Sequence, residues 1–453
     1  MLDMMIVNVA FPVIQQDFRG STPASMSWTL NAYSIVFAAL LVPAGRLADR
    51  SSRKNGFLFG VVLFTVASAL CATAQGVAML IAARVVQAAG AAFLVPTALA
   101  LLLAAYPAQR RAGAVRALMG IGTVGLALAP IIGGVLVSVG WRWIFLINLP
   151  VGVACYVLGR RVLPDARVDD RGPLPDLAGS ILLIISVAAI ALGLVKAPEW
   201  GWMSPRVIGC LVGAVILLVA FALRSARHPN PVISIGLMRI RSFRIANVVF
   251  LLFAVSFSAT LLSVTLWCEN VWNYSALQTA LALAPGTFLM PIVAASSGKL
   301  IKLTGVTFAI ALGCALLAGG PIWWTVMAQP EPDYVRVLLP GTIMFMVGTI
   351  LAFTTLMSVV TQDLPATALA TGSAINTTIR QIGLVIGVSM FVAALGTPHT
   401  LAQTQTGFQL GWVIAAACAL AAVVISTVLR TSQLAPQFVP AAPKPGDGEY
   451  GRC

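Results

Sequence analysis

Gly45-Arg46-Leu47-Ala48-Asp49-Arg50-Ser51-Ser52-Arg53-Lys54 sets one acid, Asp49, among four bases, with long apolar runs on both sides, 27 to 47 before it and 57 to 76 after it. Charge concentrated between two such runs reads as a tight cytoplasmic turn joining two membrane helices. A helix satisfies its own backbone N–H and C=O groups where lipid offers them no partner, and roughly 20 apolar residues cross the hydrocarbon core. Working outward, similar segments lie at 2 to 18, 78 to 105, 115 to 138, 143 to 162, 176 to 196, 206 to 224, 245 to 267, 277 to 297, 306 to 326, 336 to 360, 369 to 394 and 408 to 429, which makes fourteen. Composition agrees: 453 residues that are 59% hydrophobic and 9% charged cannot cover a water-facing surface, so a soluble protein is excluded.

The 28 basic residues test the count, because Lys and Arg stay on the cytoplasmic side and successive loops alternate. Loops after even-numbered segments and the C-terminal tail hold 21 of them, among them Arg110, Arg111, Arg160, Arg161, Arg224, Arg227, Lys299 and Lys302. Arg19, Arg142, Lys196, Arg206 and Arg336 fall on the other side, and Arg84 and Arg380 fall inside segments. Both termini are therefore expected in the cytoplasm, in a cytoplasmic membrane. The bases form no continuous stripe, so the net charge of +14 marks topology and not nucleic acid. Seven cysteines without CxxC spacing, and His228 and His399 off any metal pattern, lead to an expectation of no disulfide, no metal and no cofactor. No G-x-x-x-x-G-K-[ST] phosphate cradle occurs, so the proton gradient is the expected energy source in place of ATP.

The first segment is undersized, since the 13 residues from Leu2 to Ile14 make only about 20 Å of helix. It lacks a basic n-region and is no signal peptide, and the physiological chain is expected to start upstream of Met1. Gly298-Lys299-Leu300-Ile301-Lys302-Leu303-Thr304-Gly305 after segment 10 echoes Gly45 to Ser52 after segment 2, as in transporters built from repeats. The expected organisation is a six-helix half at 1–163, a linker with the inserted segments 7 and 8 at 164–230, a second six-helix half at 231–430 and a cytoplasmic tail at 431–453.

The Gly45 to Lys54 string closely resembles the signature of the major facilitator superfamily, G-x-L-A-D-R-x-G-R-K, with Ser52 where the family usually has Gly. Arg84-Val85-Val86-Gln87-Ala88-Ala89-Gly90-Ala91-Ala92 resembles the family's R-x-x-Q-G-x-G-A-A, and Gly125 to Gly134, through Pro130 and Gly133, is similar to its antiporter signature G-x-x-x-G-P-x-x-G-G, with Ala129 in place of Gly. Leu2 to Pro12 resembles L-D-x-T-I-V-N-V-A-L-P, departing at Met5 and Phe11, and Gly140 to Gly152 resembles G-W-R-W-I-F-x-I-N-x-P-x-G. Both look like the fourteen-helix drug:proton antiporters, a likeness that continues through Trp267 to Gln278 and Asn376 to Gly383. The resemblance implies that Gly45, Asp49, Arg50 and Arg53 form a cytoplasmic gate, and that Gly125, Pro130, Gly133 and Gly134 belong to an exporter's helix 5. It also implies a central cavity lined by helices 1, 4, 9 and 12.

Twelve of the 14 acids lie in loops, at loop edges or in the tail, which leaves Asp3 and Glu269. Desolvation disfavours a carboxylate, so a buried acid holds its proton until a channel or cation reaches it, as proton coupling requires. Asp3 is the candidate proton carrier, near the membrane midplane if roughly ten more residues precede it and otherwise at a solvated terminus. Arg84 is its expected partner, because a buried Arg is costly and normally faces a polar cavity or an acid. Asn8, Gln87, Glu269 and Arg380 are candidate cavity residues. Glu269 reads equally as a hydrated interfacial acid, and Arg380 as packing or an acid's partner. The expected activity is proton-coupled efflux of amphipathic or cationic small molecules by a monomer. Metabolite transport in either direction, or a transport-inactive membrane sensor with the same fold, is the alternative. No nucleophile or acid-base cluster marks an enzyme.

Overall fold

The computed structural model describes residues 2–18, 20–163, 176–229, 231–233, 235–362, 369–398 and 400–428. The side chains of Asp3, Asp49 and Arg50 lie outside that description, as do Arg19, most of the linker, Asp363, His399 and the tail at 431–453. The described residues form helices and no strand. In chain order the longer ones are α1 (Leu2–Asp17), α2 (Pro23–Ser51), α3 (Arg53–Ala72), α4 (Val77–Ala105), α5 (Ala108–Val139), α6 (Trp143–Val162, with a turn at Ile147) and α7 (Leu177–Trp200). Then follow α8 (Pro205–Arg227), α9 (Arg241–Asn270), α10 (Ala276–Thr304), α11 (Val306–Met327), α12 (Leu339–Gln362), α13 (Leu369–Leu395) and α14 (Leu401–Ser426).

Apolar composition makes these helices, and side-chain caps start them. Thr22 and Ser25 form a capping box at α2, Ser275 and Gln278 another at α10, and Ser204 before Pro205 opens α8. Gly201 and Gly305 end α7 and α10 at φ +86° and +87°, a left-handed conformation that other residues rarely adopt. The expected turn at Gly45 to Lys54 needs correction. Gly45 to Ser51 is the last part of α2, and Ser52 alone is non-helical. Charge ends the buried part of a helix without ending the helix, which runs on into water. Ser52 is extended (φ −165°), a conformation that does not require the family's Gly, and its hydroxyl accepts from Asn55 N to cap α3.

Twelve of these helices are long and apolar enough to cross a membrane, counted over the described residues. The other two expected segments are helical but differ: α1 has 16 residues, and α5 contributes the shorter apolar stretch Leu128–Val139. The chain is thus a multi-pass membrane protein. Among the first six helices α2 and α3 pack on α4, α3 on α6 and α1 on α5; among the last six α9 packs on α13 and α14, and α11 on α12 and α14. The two groups meet where α5 lies along α10 and α2 along α13. The pair α7 and α8 stands outside them, with α7 seated on both α2 and α13. Leu183, Val187 and Ala191 of α7 join Ile35, Ala39 and Val42 of α2 and Val385 of α13 in one apolar cluster. The helix α7, with α8 packed on it, therefore covers the α2/α13 seam.

Candidate functional site

Arg84 is 1% exposed, held between α4 and α2. Its Nε donates to Thr29 O at 3.2 Å, its Nη1 donates to Gln87 Oε1 at 2.6 Å, and its Cζ lies 4.0 Å from the centroid of the Tyr33 ring. Gln87 and Arg84 share a face of α4 because they are three residues apart. Gln87 Nε2 in turn donates to Ser68 Oγ at 2.8 Å, which also accepts from Asn148 Nδ2 at 3.3 Å. One polar chain thus ties α2, α4, α3 and α6 inside an apolar bundle, where each unmade hydrogen bond would cost about 1–3 kcal/mol. Asn8 of α1 is partly exposed.

The antiporter string of α5 sits at the seam. A Cβ on Gly134 would meet Ala280 Cβ at 2.7 Å and Leu277 Cα at 3.1 Å, so the missing side chain is what lets α5 lie against α10. One residue earlier, Gly133 faces Ile6 of α1 at 3.4 Å, and Pro130 is buried within the helix. A Cβ on Gly125 would meet nothing within 4 Å among the described residues. At the other seam Asn31 Nδ2 donates to Ser389 Oγ at 3.1 Å, and Thr378 Oγ1 donates to Ala38 O at 2.9 Å. Gly45 brings α2 against Pro96 of α4, and Arg53 is partly exposed at the start of α3.

In the second group, Glu269 is 8% exposed near the end of α9, and its Oε1 has no hydrogen-bond partner. It is buried, not hydrated at the surface. Arg380 of α13 is partly exposed, with Cζ 5.9 Å from the Phe353 ring centroid of α12. Asn376, one turn away, donates to Asn247 Oδ1 of α9 at 3.1 Å.

Two clasps had no role at the level of sequence. Trp141 Nε1 and Arg142 Nη1 both donate to Asp17 Oδ2, at 2.8 and 3.1 Å, while Arg142 Nη2 donates to Ala74 O. The G-W-R-W string thereby ties the ends of α1 and α3 to the start of α6. Asp176 caps α7 by accepting from Gly179 N at 2.8 Å and also accepts from Arg224 Nε of α8 at 2.7 Å, with its own side chain fully buried. Asp176→Ala is expected to lower the thermal unfolding midpoint of the detergent-solubilised protein by a few degrees. The lost cap and the lost pair, discounted for the 40% exposure of Arg224, come to about 2 kcal/mol. An unchanged midpoint would show that α7 and α8 are held by apolar packing alone. Ser68 and Asn247, by contrast, stand in no string that sequence singles out, and their roles appear only when distant helices are placed together.

The family model of the Major Facilitator Superfamily matches residues 1–388. The chain is 36% identical over 323 residues to the tetracenomycin C resistance and export protein of Streptomyces glaucescens, covering 71% of this chain and 60% of that one. It is 32% identical to the cephamycin export protein CmcT of Amycolatopsis lactamdurans, covering 94% and 89% of the two chains. It is also 32% identical to the multidrug resistance protein Stp of Mycobacterium tuberculosis, covering 87% and 73%. Among solved structures, a POT family transporter in complex with 5-aminolevulinic acid superposes with a TM-score of 0.67 at 15% identity, covering 95% and 93%. That likeness concerns the fold alone.

Proposed function

Since the chain belongs to the Major Facilitator Superfamily, and is therefore a transporter and not an enzyme, we propose that it is a proton-coupled exporter of amphipathic drugs or antibiotics. The proposed topology has fourteen membrane crossings with both termini in the cytoplasm, supported by the distribution of Lys and Arg among the loops. The halves 1–163 and 231–430 rock about a central cavity, with 164–230 inserted between them. Arg84 carries this function: a membrane protein retains a guanidinium that is 1% exposed only where it does work or completes a structural ion pair. In the proposed cycle Asp3 accepts and releases the proton, and Arg84 holds the helices around it and biases its ionisation. Gly134 lets the α5/α10 seam close and Gly133 lets α5 pack on Ile6 of α1, while Gly45, Asp49, Arg50 and Arg53 latch the cytoplasmic side. Export as the direction is supported by the roles of the tetracenomycin C and cephamycin proteins. A monomer suffices.

Expression in an efflux-deficient bacterial host tests the export. Raised tolerance to members of a drug panel is expected, and unchanged tolerance to every member of a broad panel, with the protein confirmed in the membrane, would count against it. Asp49→Asn is expected to leave folding and substrate affinity intact while lowering flux several-fold, because a gate residue contacts no ligand. If affinity collapses at an unchanged cycling rate, Asp49 belongs to the binding site instead.

A further inference from the structure

We propose that Arg380 is an anion-recognition site, taking the carboxylate or an equivalent acidic group of an aromatic amphipath that enters from the cytoplasmic side. Arg380 is the twelfth of the 27 residues of α13, near the middle of a membrane helix, where a guanidinium without a partner is costly. Unlike Arg84, it makes no hydrogen bond and no ion pair among the described residues. It is partly exposed at this depth and lies beside the Phe353 ring of α12.

Glu269, whose Oε1 has no partner among the described residues, cannot serve it. The pairs Asn247–Asn376 and Ser258–Leu384 show α9 and α13 running in the same direction, with Arg380 at about the level of Leu251. Glu269 lies 18 residues further along α9, about 27 Å away at 1.5 Å per residue. At the level of Arg380 the walls are aromatic instead. Phe353 lies 5.7 Å from Phe250 and 6.5 Å from Phe253, and Phe253 stacks on Phe257 at 6.1 Å. A guanidinium offers a planar fork that fits a carboxylate with two parallel hydrogen bonds, and the rings beside it accept an aromatic body. The charge-derived topology puts this level of α9 in the cytoplasmic half of the membrane, where an exporter meets its cargo. Resting on the exporter proposed above, the site makes the favoured cargo anionic and not cationic.

The test uses the purified full-length protein in detergent and three probes with one ring system and three charges: 9-anthracenecarboxylate, 9-anthracenecarboxamide and 9-(aminomethyl)anthracene. Binding is read from quenching of tryptophan fluorescence. The wild type is expected to bind the carboxylate about tenfold or more tighter than the other two. Arg380→Gln removes that preference while leaving amide affinity nearly unchanged, and Arg380→Lys, with the charge but not the fork, keeps part of it. Equal binding of the three probes, preference for the amine, no binding of the carboxylate, or an equal loss for all three in Arg380→Lys or Arg380→Gln would overturn the assignment. Should Arg380→Gln aggregate, the wild-type series and Arg380→Lys still decide. Proton-driven flux is measured separately: carboxylate binding through Arg380 without transport would defeat the export function and leave the anion site standing.

Discussion

Arg84→Ala is expected to abolish proton-coupled export while the protein still reaches the membrane. The substitution removes the donors to Gln87 Oε1 and Thr29 O and the cation over Tyr33, in a position 1% exposed to solvent. A hydrogen bond to a charged group is worth about 1.5–3 kcal/mol, so some stability is lost as well, and a fluorescence-detected elution profile must accompany the flux measurement. The pH profile separates coupling from packing. A nearby cation favours the ionised form of a carboxylate, so losing it should move the pH dependence of drug-stimulated proton release upward if Asp3 is the carrier. Arg84→Lys should shift it less. In proteoliposomes with a pH dye inside, the double variant with Asp3→Asn should lose little beyond the worse single variant, whereas independent sites give additive losses. Normal proton-coupled export by Arg84→Ala would make the residue structural.

Gly134→Val is expected to cut flux by about tenfold or more without preventing insertion. The first added carbon already meets Ala280 Cβ at 2.7 Å and Ala276 O at 3.2 Å, and a branched side chain forces α5 and α10 apart at that end. Overpacking of this kind costs typically 1–3 kcal/mol, enough to disfavour the closed seam by one to two orders of magnitude. Labelling of Ala280→Cys by a membrane-impermeant maleimide should rise in the Gly134→Val background. Gly125→Val, in the same string but with a Cβ that would meet nothing within 4 Å among the described residues, should reduce flux less. If the two substitutions act alike, the string tunes α5 as a whole and the seam contact is incidental.

The helices were legible because apolar runs separated by charge leave a strong linear signal, and twelve of the fourteen runs fall on helices long and apolar enough to cross a membrane, counted over the described residues. Their ends were less so. α2 continues through Asp49 to Ser51, since charged residues stop a membrane crossing but not a helix. Candidate site residues stood out in the sequence where a side chain is unusual for its surroundings, as with Arg84, Glu269 and Arg380. The site was not legible where the partner is a backbone carbonyl such as Thr29 O, or a residue as distant as Ser389 from Asn31, because neither leaves a pattern in sequence. Whether a buried charge is partnered is likewise a property of the assembled bundle. The expectation of amphipathic or cationic cargo came from resemblance, while the guanidinium of Arg380, without a partner among the described residues, argues for anionic cargo.

Drug uptake by everted membrane vesicles with an imposed acid-inside proton gradient tests the central claim most directly. Their lumen corresponds to the cell exterior, so a proton-driven exporter should accumulate drug inside as protons leave. The account expects uptake that scales with the gradient, vanishes when an ionophore collapses it, and is lost in Arg84→Ala. Uptake indifferent to the gradient, or accumulation driven only when protons move in the same direction as the drug, would contradict it.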